Sequence, residues 1–273
     1  MQDGFLRMKE KDYATARDDA DEALNQDPEN TAAYRLLVES CVAQKQLPKA
    51  VGKIRELVSQ RPNSALLRFE LGQMLVTAGN RPEGRQSFEA AAALDAKYSA
   101  PKLALAELEA TEKRWDAALR QLNAVMASDP RNVLALKMAA DIEVAAGNHP
   151  AAIAHYRAWL DVDGSNVLAL NNLAYLIALD SPDEALKLAQ QAVELAPDDA
   201  AVRDTMGWVY YRKGIYGSAV EQLRMSVTKE STPQRQFHLA MAYLKVGDKD
   251  LGQQTLMTAL KQDPDLTRTE RGW

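Results

Sequence analysis

Residues 204–223 read DTMGWVYYRKGIYGSAVEQL, and their spacing of small, aromatic and apolar residues recurs along the whole chain. Gly207 and Tyr210 lie on one apolar stripe at helical spacing, and Ala219 lies on a second stripe after Gly214. A glycine between two such stripes can end one helix and let the chain reverse. The stretch therefore predicts a hairpin of two α-helices.

The spacing of this hairpin repeats with a period of about 34 residues. The small residue near the start of the second helix falls at Ala16, Ala50, Gly84, Ala118, Ala152, Ala185, Ala219 and Gly252. The small residue in the first helix falls at Gly4, Val38, Gly72, Ala106, Ala140, Ala174, Gly207 and Ala240, so only Val38 departs from the row. Two helices approach closely only where the facing side chains are small, so both rows predict tightly packed hairpins. The alternative is a helical bundle whose periodicity arises by chance.

These rows resemble the bacterial type of tetratricopeptide repeat, in which W-x2-L-G-x2-Y is followed by A-x3-F and then by proline. One hairpin cannot bury both of its faces, so neighbouring repeats must stack to complete the core. The resemblance implies an all-α fold, a right-handed superhelical solenoid of antiparallel helix hairpins, with seven full repeats and partial repeats at both ends.

The rows also predict the repeat boundaries within a single solenoid domain over residues 1–273. The expected segments are a partial repeat at 1–30, full repeats at 31–64, 65–98, 99–132, 133–166, 167–199, 200–232 and 233–266, and a partial repeat at 267–273. Both ends then cut through a first helix, so we expect a fragment of a longer repeat protein, the alternative being a natural chain with frayed ends. We further expect the incomplete helices at 1–8 and 266–273 to support end-to-end self-association, unless they simply fray.

A narrower resemblance covers residues 171–247, where NNLAY and DEAL precede the 204–223 stretch. This succession is similar to the C-terminal repeats of bacterial tetratricopeptide lipoproteins associated with exopolysaccharide secretion, those of the PEP-CTERM system. It implies a place in such a secretion system.

Composition argues against several classes of partner. The formal net charge of −5 is unfavourable for a nucleic-acid-binding protein, because phosphate contacts need a basic face. No apolar run approaches the roughly 20 residues that cross a bilayer, so we expect no membrane insertion. Cys41 is the only cysteine, so no intramolecular disulfide can form, and we expect a buried, unreactive thiol. A single cysteine does not distinguish a periplasmic from a cytoplasmic location.

No catalytic, cofactor or metal-binding motif is present. The three histidines include no pair at helical metal-ligand spacing, and we expect all of them at the surface or rim: His149, His155 and His238. The chain also lacks a nucleophile elbow and a phosphate-binding glycine loop. The sequence thus predicts a protein that is not an enzyme.

The family resemblance implies that ligands lie in the concave groove formed by the first helices. The expected groove residues are Glu39, Glu107, Asp141, Asn171, Asn172, Tyr175, Trp208, Tyr211, Arg212 and Phe237. Their row changes from acidic to aromatic, so we expect the acids to steer a basic partner and the aromatic residues and Arg212 to supply affinity. The alternative is that Trp208 and Tyr175 only pack against neighbouring helices. The carboxylate clamp of chaperone-binding family members is matched only at scattered positions such as Asn172.

Three hypotheses about function follow. The first is a non-catalytic scaffold or adaptor that binds a protein or peptide, basic at one end and apolar at the other. The second is the substrate-recognition arm of an enzyme such as a glycosyltransferase, although its ladder of groove asparagines is reduced here to Asn171 and Asn172. The third is a structural part of an exopolysaccharide export assembly.

Overall fold

The computed structural model describes residues 2–266, which form sixteen α-helices and no strand. They are α1 (Gln2–Lys9), α2 (Tyr13–Gln26), α3 (Thr31–Ala43), α4 (Leu47–Gln60), α5 (Ala65–Thr77), α6 (Arg81–Leu94), α7 (Ser99–Thr111), α8 (Trp115–Ser128), α9 (Val133–Ala145), α10 (His149–Val162), α11 (Val167–Ile177), α12 (Pro182–Leu195), α13 (Ala200–Arg212), α14 (Tyr216–Lys229), α15 (Pro233–Val246) and α16 (Lys249–Gln262).

The helices pair as consecutive hairpins, in which each odd-numbered helix packs against the even-numbered helix that follows it. This confirms the all-α repeat fold expected from the spacing. The partial repeat expected at 267–273 lies outside the described residues. The repeat boundaries and the single continuous domain stay predictions.

The predicted rows of small residues lie where the paired helices touch. All the alanines of both rows are fully buried. A Cβ atom added to Gly207 would lie 2.5 Å from Leu223 Cγ, and one added to Gly72 would lie 2.5 Å from the Phe88 ring. Since real Cβ atoms do not approach other atoms so closely, a larger residue at either glycine would push the two helices apart.

Side-chain caps explain where several first helices begin. The first backbone N–H groups of a helix have no partner within it, and a preceding Asn, Ser or Asp can accept from them. Asn30, Asn132 and Asn166 each accept a hydrogen bond from the backbone N–H three residues on, at 3.0, 3.0 and 3.2 Å. Ser64 and Asp199 cap α5 and α13 in the same way.

The chain divides into two compact units, residues 1–130 and 131–273, which we call unit 1 and unit 2. In unit 1, Tyr34, Leu37 and Ile54 belong to a continuous apolar core that also contains Cys41, with 0% of its surface exposed. The thiol is therefore buried as expected, and burial raises its pKa. In unit 2, one apolar cluster forms around Leu170 and Val202.

Among the described helices, none combines the length and apolar character needed to cross a bilayer.

Candidate functional site

Unit 2 contains a cleft of about 630 Å³, which we call the unit 2 cleft. Helices α11 and α13 and the start of α15 supply most of its walls. The lining residues are Val144, Tyr156, Asn171, Asn172, Tyr175, Leu176, Ala201, Asp204, Thr205, Thr232, Pro233, Gln234, Arg235, Asp263 and Leu266. Three predicted groove residues are brought together in it, namely Asn171, Asn172 and Tyr175.

A chain of hydrogen bonds fixes the polar wall of the unit 2 cleft. Asn171 Nδ2 donates to Asn172 Oδ1 at 3.3 Å, and Asn172 Nδ2 donates to the Tyr156 hydroxyl at 2.9 Å. The Tyr156 hydroxyl donates to Asp141 Oδ1 at 3.2 Å, and Lys137 Nζ lies 2.7 Å from the other oxygen of Asp141. Burial raises the pKa of Tyr156 to about 12, so its hydroxyl stays protonated and able to donate. The two asparagine amides are thereby held in one orientation.

A second polar contact, between Asp204 and His238, lies beside this wall. His238 has 0% of its surface exposed, so the expectation of a surface or rim histidine was wrong for this residue. Its Nδ1 lies 2.9 Å from Asp204 Oδ2, and its ring stacks on Trp208 with 4.2 Å between centroids. Asp204 and Trp208 of α13 thus surround the buried imidazole ring of His238, which belongs to α15 in the next repeat.

The stacked rings of Trp208 and Tyr211 lie next to the cleft, with the Arg212 side chain against the Trp208 ring. Trp208 is only 6% exposed and stacks on Tyr211 with 4.9 Å between centroids and 6° between planes. Arg212 Cζ lies 4.7 Å from the centre of the Trp208 ring, a distance typical of a cation–π contact. Trp208 and Arg212 line a smaller cavity of about 210 Å³, which Tyr175 also lines. Trp208 is thus a wall of that cavity and not a protruding side chain.

The remaining predicted groove residues are distributed over both units. Phe237 is half-buried, with its ring centroid 6.2 Å from that of His238.

In unit 2, Asp141 is already paired with Lys137. In unit 1, Glu39 pairs with Arg35 Nε at 2.7 Å, whereas Glu107 is exposed. Two of the three acids expected to steer a partner therefore have a cation on their own helix, which weakens their field.

Unit 1 has a cleft of its own, of about 450 Å³, and we call it the unit 1 cleft. Glu70, Gln73 and Glu107 contribute its polar lining, and Phe88 and Leu108 contribute apolar surface. Burial raises the pKa of Glu70 to about 7, because a partly desolvated carboxylate is disfavoured relative to its neutral acid. This carboxyl group therefore changes charge close to neutral pH.

We expect Glu70 to make the stability of unit 1 depend on pH. Its pKa is 4.5 in the unfolded chain and about 7 in the folded chain, so the folded state holds an extra proton between these values. The free energy of unfolding of unit 1 therefore falls by about 1–3 kcal/mol as the pH rises through that interval. Urea denaturation from pH 4.5 to pH 8 should show the loss in the wild type and a flatter profile in Glu70→Gln. Glu107→Gln is the matched control at the same cleft, and equal slopes in all three proteins would contradict the assignment.

Within residues 2–266, no group of three or more His, Cys, Asp or Glu side chains is placed to hold a metal ion.

Tyr156, Gln234 and Arg235 were not predicted as groove residues, and Asp204 was not selected as a site residue although its position belongs to the same groove row as Asn171. All four line the unit 2 cleft. The sequence contains a signal that Asp204 faces the groove, because it lies on the same face of its helix as Trp208, one turn earlier. The sequence contains no such signal for Tyr156, because a large residue on the second helix of a hairpin fits a core position as well as a position in the cleft.

Comparison with known proteins agrees with this architecture. Residues 7–70, 102–167 and 233–266 match models described as tetratricopeptide repeat. A TPR repeat-containing protein of Pseudomonas aeruginosa is 31% identical over 189 residues, covering 62% of this chain. The match covers 29% of that relative's length.

Two solved structures share the fold at low sequence identity. The APC/C hetero-tetramer Cut9–Hcn1 gives a TM-score of 0.61 at 18% identity, covering 94% of this chain and 52% of that one. YrrB, a TPR protein with an unusual peptide-binding site, gives 0.54 at 18% identity and covers 68% of this chain and 99% of that one. With helix hairpins, small-residue rows and repeat models in agreement, the chain belongs to the tetratricopeptide repeat family.

Proposed function

We propose that this chain is a non-catalytic scaffold that binds a segment of a partner protein in the unit 2 cleft. The observation that carries the proposal is the cleft itself, whose asparagine wall is held in one orientation by Tyr156 and Asp141. Pre-oriented polar groups beside apolar surface favour binding, because less side-chain freedom is lost when a ligand arrives.

The family membership supports this function, since stacked hairpins present a continuous surface to a partner. Among proteins of the same fold, YrrB has a peptide-binding site and Cut9 assembles with Hcn1. For this chain, peptide or protein binding is the proposal that these neighbours support.

The partner segment should be extended and partly apolar. Tyr175 and Leu176 give the cleft an apolar side, and Gln234 Nε2 donates to the Tyr175 hydroxyl at 3.3 Å across its mouth. Trp208 and Arg212 line the adjoining smaller cavity, where a further side chain of the partner can be placed. Asp204 and Asp263 in the lining of the cleft favour a basic partner segment over an acidic one.

The role as the recognition arm of an enzyme has less support. Asn171 and Asn172 bond to each other, and Asn172 also bonds to Tyr156, so part of their hydrogen-bonding capacity is used within the chain. A place in an exopolysaccharide secretion system rests on the resemblance over residues 171–247 alone and stays a proposal.

Site-specific photo-crosslinking in the source organism tests the binding site. A photo-reactive amino acid replaces Gln234, which is exposed and lines the cleft, or Gln253, which is exposed and lies outside it. We expect crosslinks to a defined partner from position 234 and not from position 253.

A blocking substitution sharpens the same experiment. Ala201→Trp places a large ring at the lining of the cleft and should remove the crosslink, whereas Ala154→Trp is the same change at an exposed position outside the cleft. Crosslinks that are equal from both photo-reactive positions, or that survive Ala201→Trp unchanged, would disprove this binding site.

A further inference from the structure

Two acceptor oxygens of the unit 2 cleft have no hydrogen-bond partner among residues 2–266. They are Asp204 Oδ1 and Asn171 Oδ1, and both atoms are buried. Asp204 is only 8% exposed, and both residues line the cleft. Because a buried acceptor without a donor is costly, a ligand that supplies donors to these atoms is favoured there.

The neighbouring hydrogen bonds determine which atoms are left for a ligand. His238 occupies Asp204 Oδ2, so Oδ1 is the carboxylate oxygen that stays unused. Asn171 uses its amide nitrogen to donate to Asn172 Oδ1, so it presents its oxygen. Both groups offered to a ligand are therefore acceptors, and one of them is a carboxylate.

The charges around these acceptors favour a cation. Arg235 lines the cleft, but it donates to the backbone oxygen of Glu230 at 3.1 Å and also pairs with the Glu230 carboxylate. Its charge is thus largely compensated outside the cleft. Asp263 adds a second carboxylate to the lining.

We propose that the unit 2 cleft seats a lysine or arginine side chain of the partner segment. The cationic N–H groups donate to Asp204 Oδ1 and Asn171 Oδ1, and the alkyl stem lies against Tyr175 and Leu176. Both oxygens are buried in the free chain, so binding includes a shift of the side chains that cover them. The inference rests on the proposed function, since it names what the bound segment carries.

Selection from a display library of short random peptides tests both levels. The wild type, Asp204→Asn and Asp198→Asn are immobilised side by side, and Asp198 is a matched control because its exposed carboxylate pairs with Lys229 outside the cleft. We expect peptides enriched in lysine or arginine with the wild type and with Asp198→Asn. With Asp204→Asn the enrichment in cations should disappear while apolar preferences persist.

Titration of a selected peptide by fluorescence polarisation gives the size of the effect. Replacing its basic residue by acetyl-lysine, and separately using Asp204→Asn, should each weaken binding about tenfold or more, as for the loss of a charge-assisted hydrogen bond. Asn171→Asp adds a third carboxylate to the lining, beside those of Asp204 and Asp263, and should tighten binding of the same peptide. That variant also serves if circular dichroism shows that Asp204→Asn does not fold.

The outcomes separate the two proposals. If no peptide is enriched by any of the three proteins, the proposed function fails. If peptides are enriched without a preference for cations, or if Asp204→Asn keeps that preference, the cation site is overturned while peptide binding stands. Failure of Asn171→Asp to tighten binding also counts against the cation site.

Discussion

Replacing Tyr156 by alanine should lower the free energy of unfolding of unit 2 by about 3–5 kcal/mol, the range for removing a large buried aromatic ring. Tyr156 is 1% exposed, and its ring stacks near that of Trp159 with 6.4 Å between centroids. Its hydroxyl also accepts from Asn172 and donates to Asp141. The variant therefore loses apolar burial and leaves two polar groups without their partner.

Urea denaturation followed by tryptophan fluorescence and far-ultraviolet circular dichroism measures this loss, with Trp159 as a nearby reporter. Tyr156→Phe is the matched control, because it removes the hydroxyl alone and should cost only about 1 kcal/mol. Repeat proteins can unfold in segments, so the early part of the transition is the quantity to compare. If unfolding of the two variants begins at the same urea concentration, the ring contributes little.

Replacing His238 by alanine should also cost about 3–5 kcal/mol, the range for removing one member of a buried polar pair that includes a charge. The substitution leaves Asp204 Oδ2 buried without its donor and removes the ring that stacks on Trp208. Because α13 and α15 belong to successive repeats, we expect their packing in unit 2 to loosen.

The matched control is His155→Ala, since His155 is half-buried in the same unit and should cost about 1 kcal/mol, a typical value for a point substitution. His238→Asn retains a donor for Asp204 and should recover part of the stability. If His238→Ala unfolds at the same urea concentration as His155→Ala, the Asp204–His238 contact is not an important part of the packing in unit 2.

Much of the fold was predictable because the determining interactions are local to each hairpin. Gly72 and Gly207 face the partner helix so closely that a Cβ would clash with the Phe88 or Leu223 side chain, and the need for a small residue appears directly in the row. Asn132 and Asn166 cap the helices that follow them, through bonds that span three residues. Such contacts depend on spacing along the chain, which periodicity reports.

The candidate site was predictable only in part. Asn171, Asn172 and Tyr175 share one helix, and the family resemblance implied that their positions face the groove. The helix pattern also identified Trp208, but it could not distinguish an exposed anchor from the buried ring observed, because both satisfy the same periodicity. That distinction depends on what the next repeat places against the ring.

By itself, the sequence determined the helix hairpins, their close approach at small residues and the absence of recognisable catalytic motifs. Tertiary structure alone decided that His238 is buried on Asp204, a contact between residues 34 positions apart. It also decided that Tyr156 holds the asparagine wall and that two acceptors in the unit 2 cleft have no partner among the described residues. The physical reason is that polar partners from different helices meet only when the repeats have stacked, and no periodic pattern records which donor faces which acceptor.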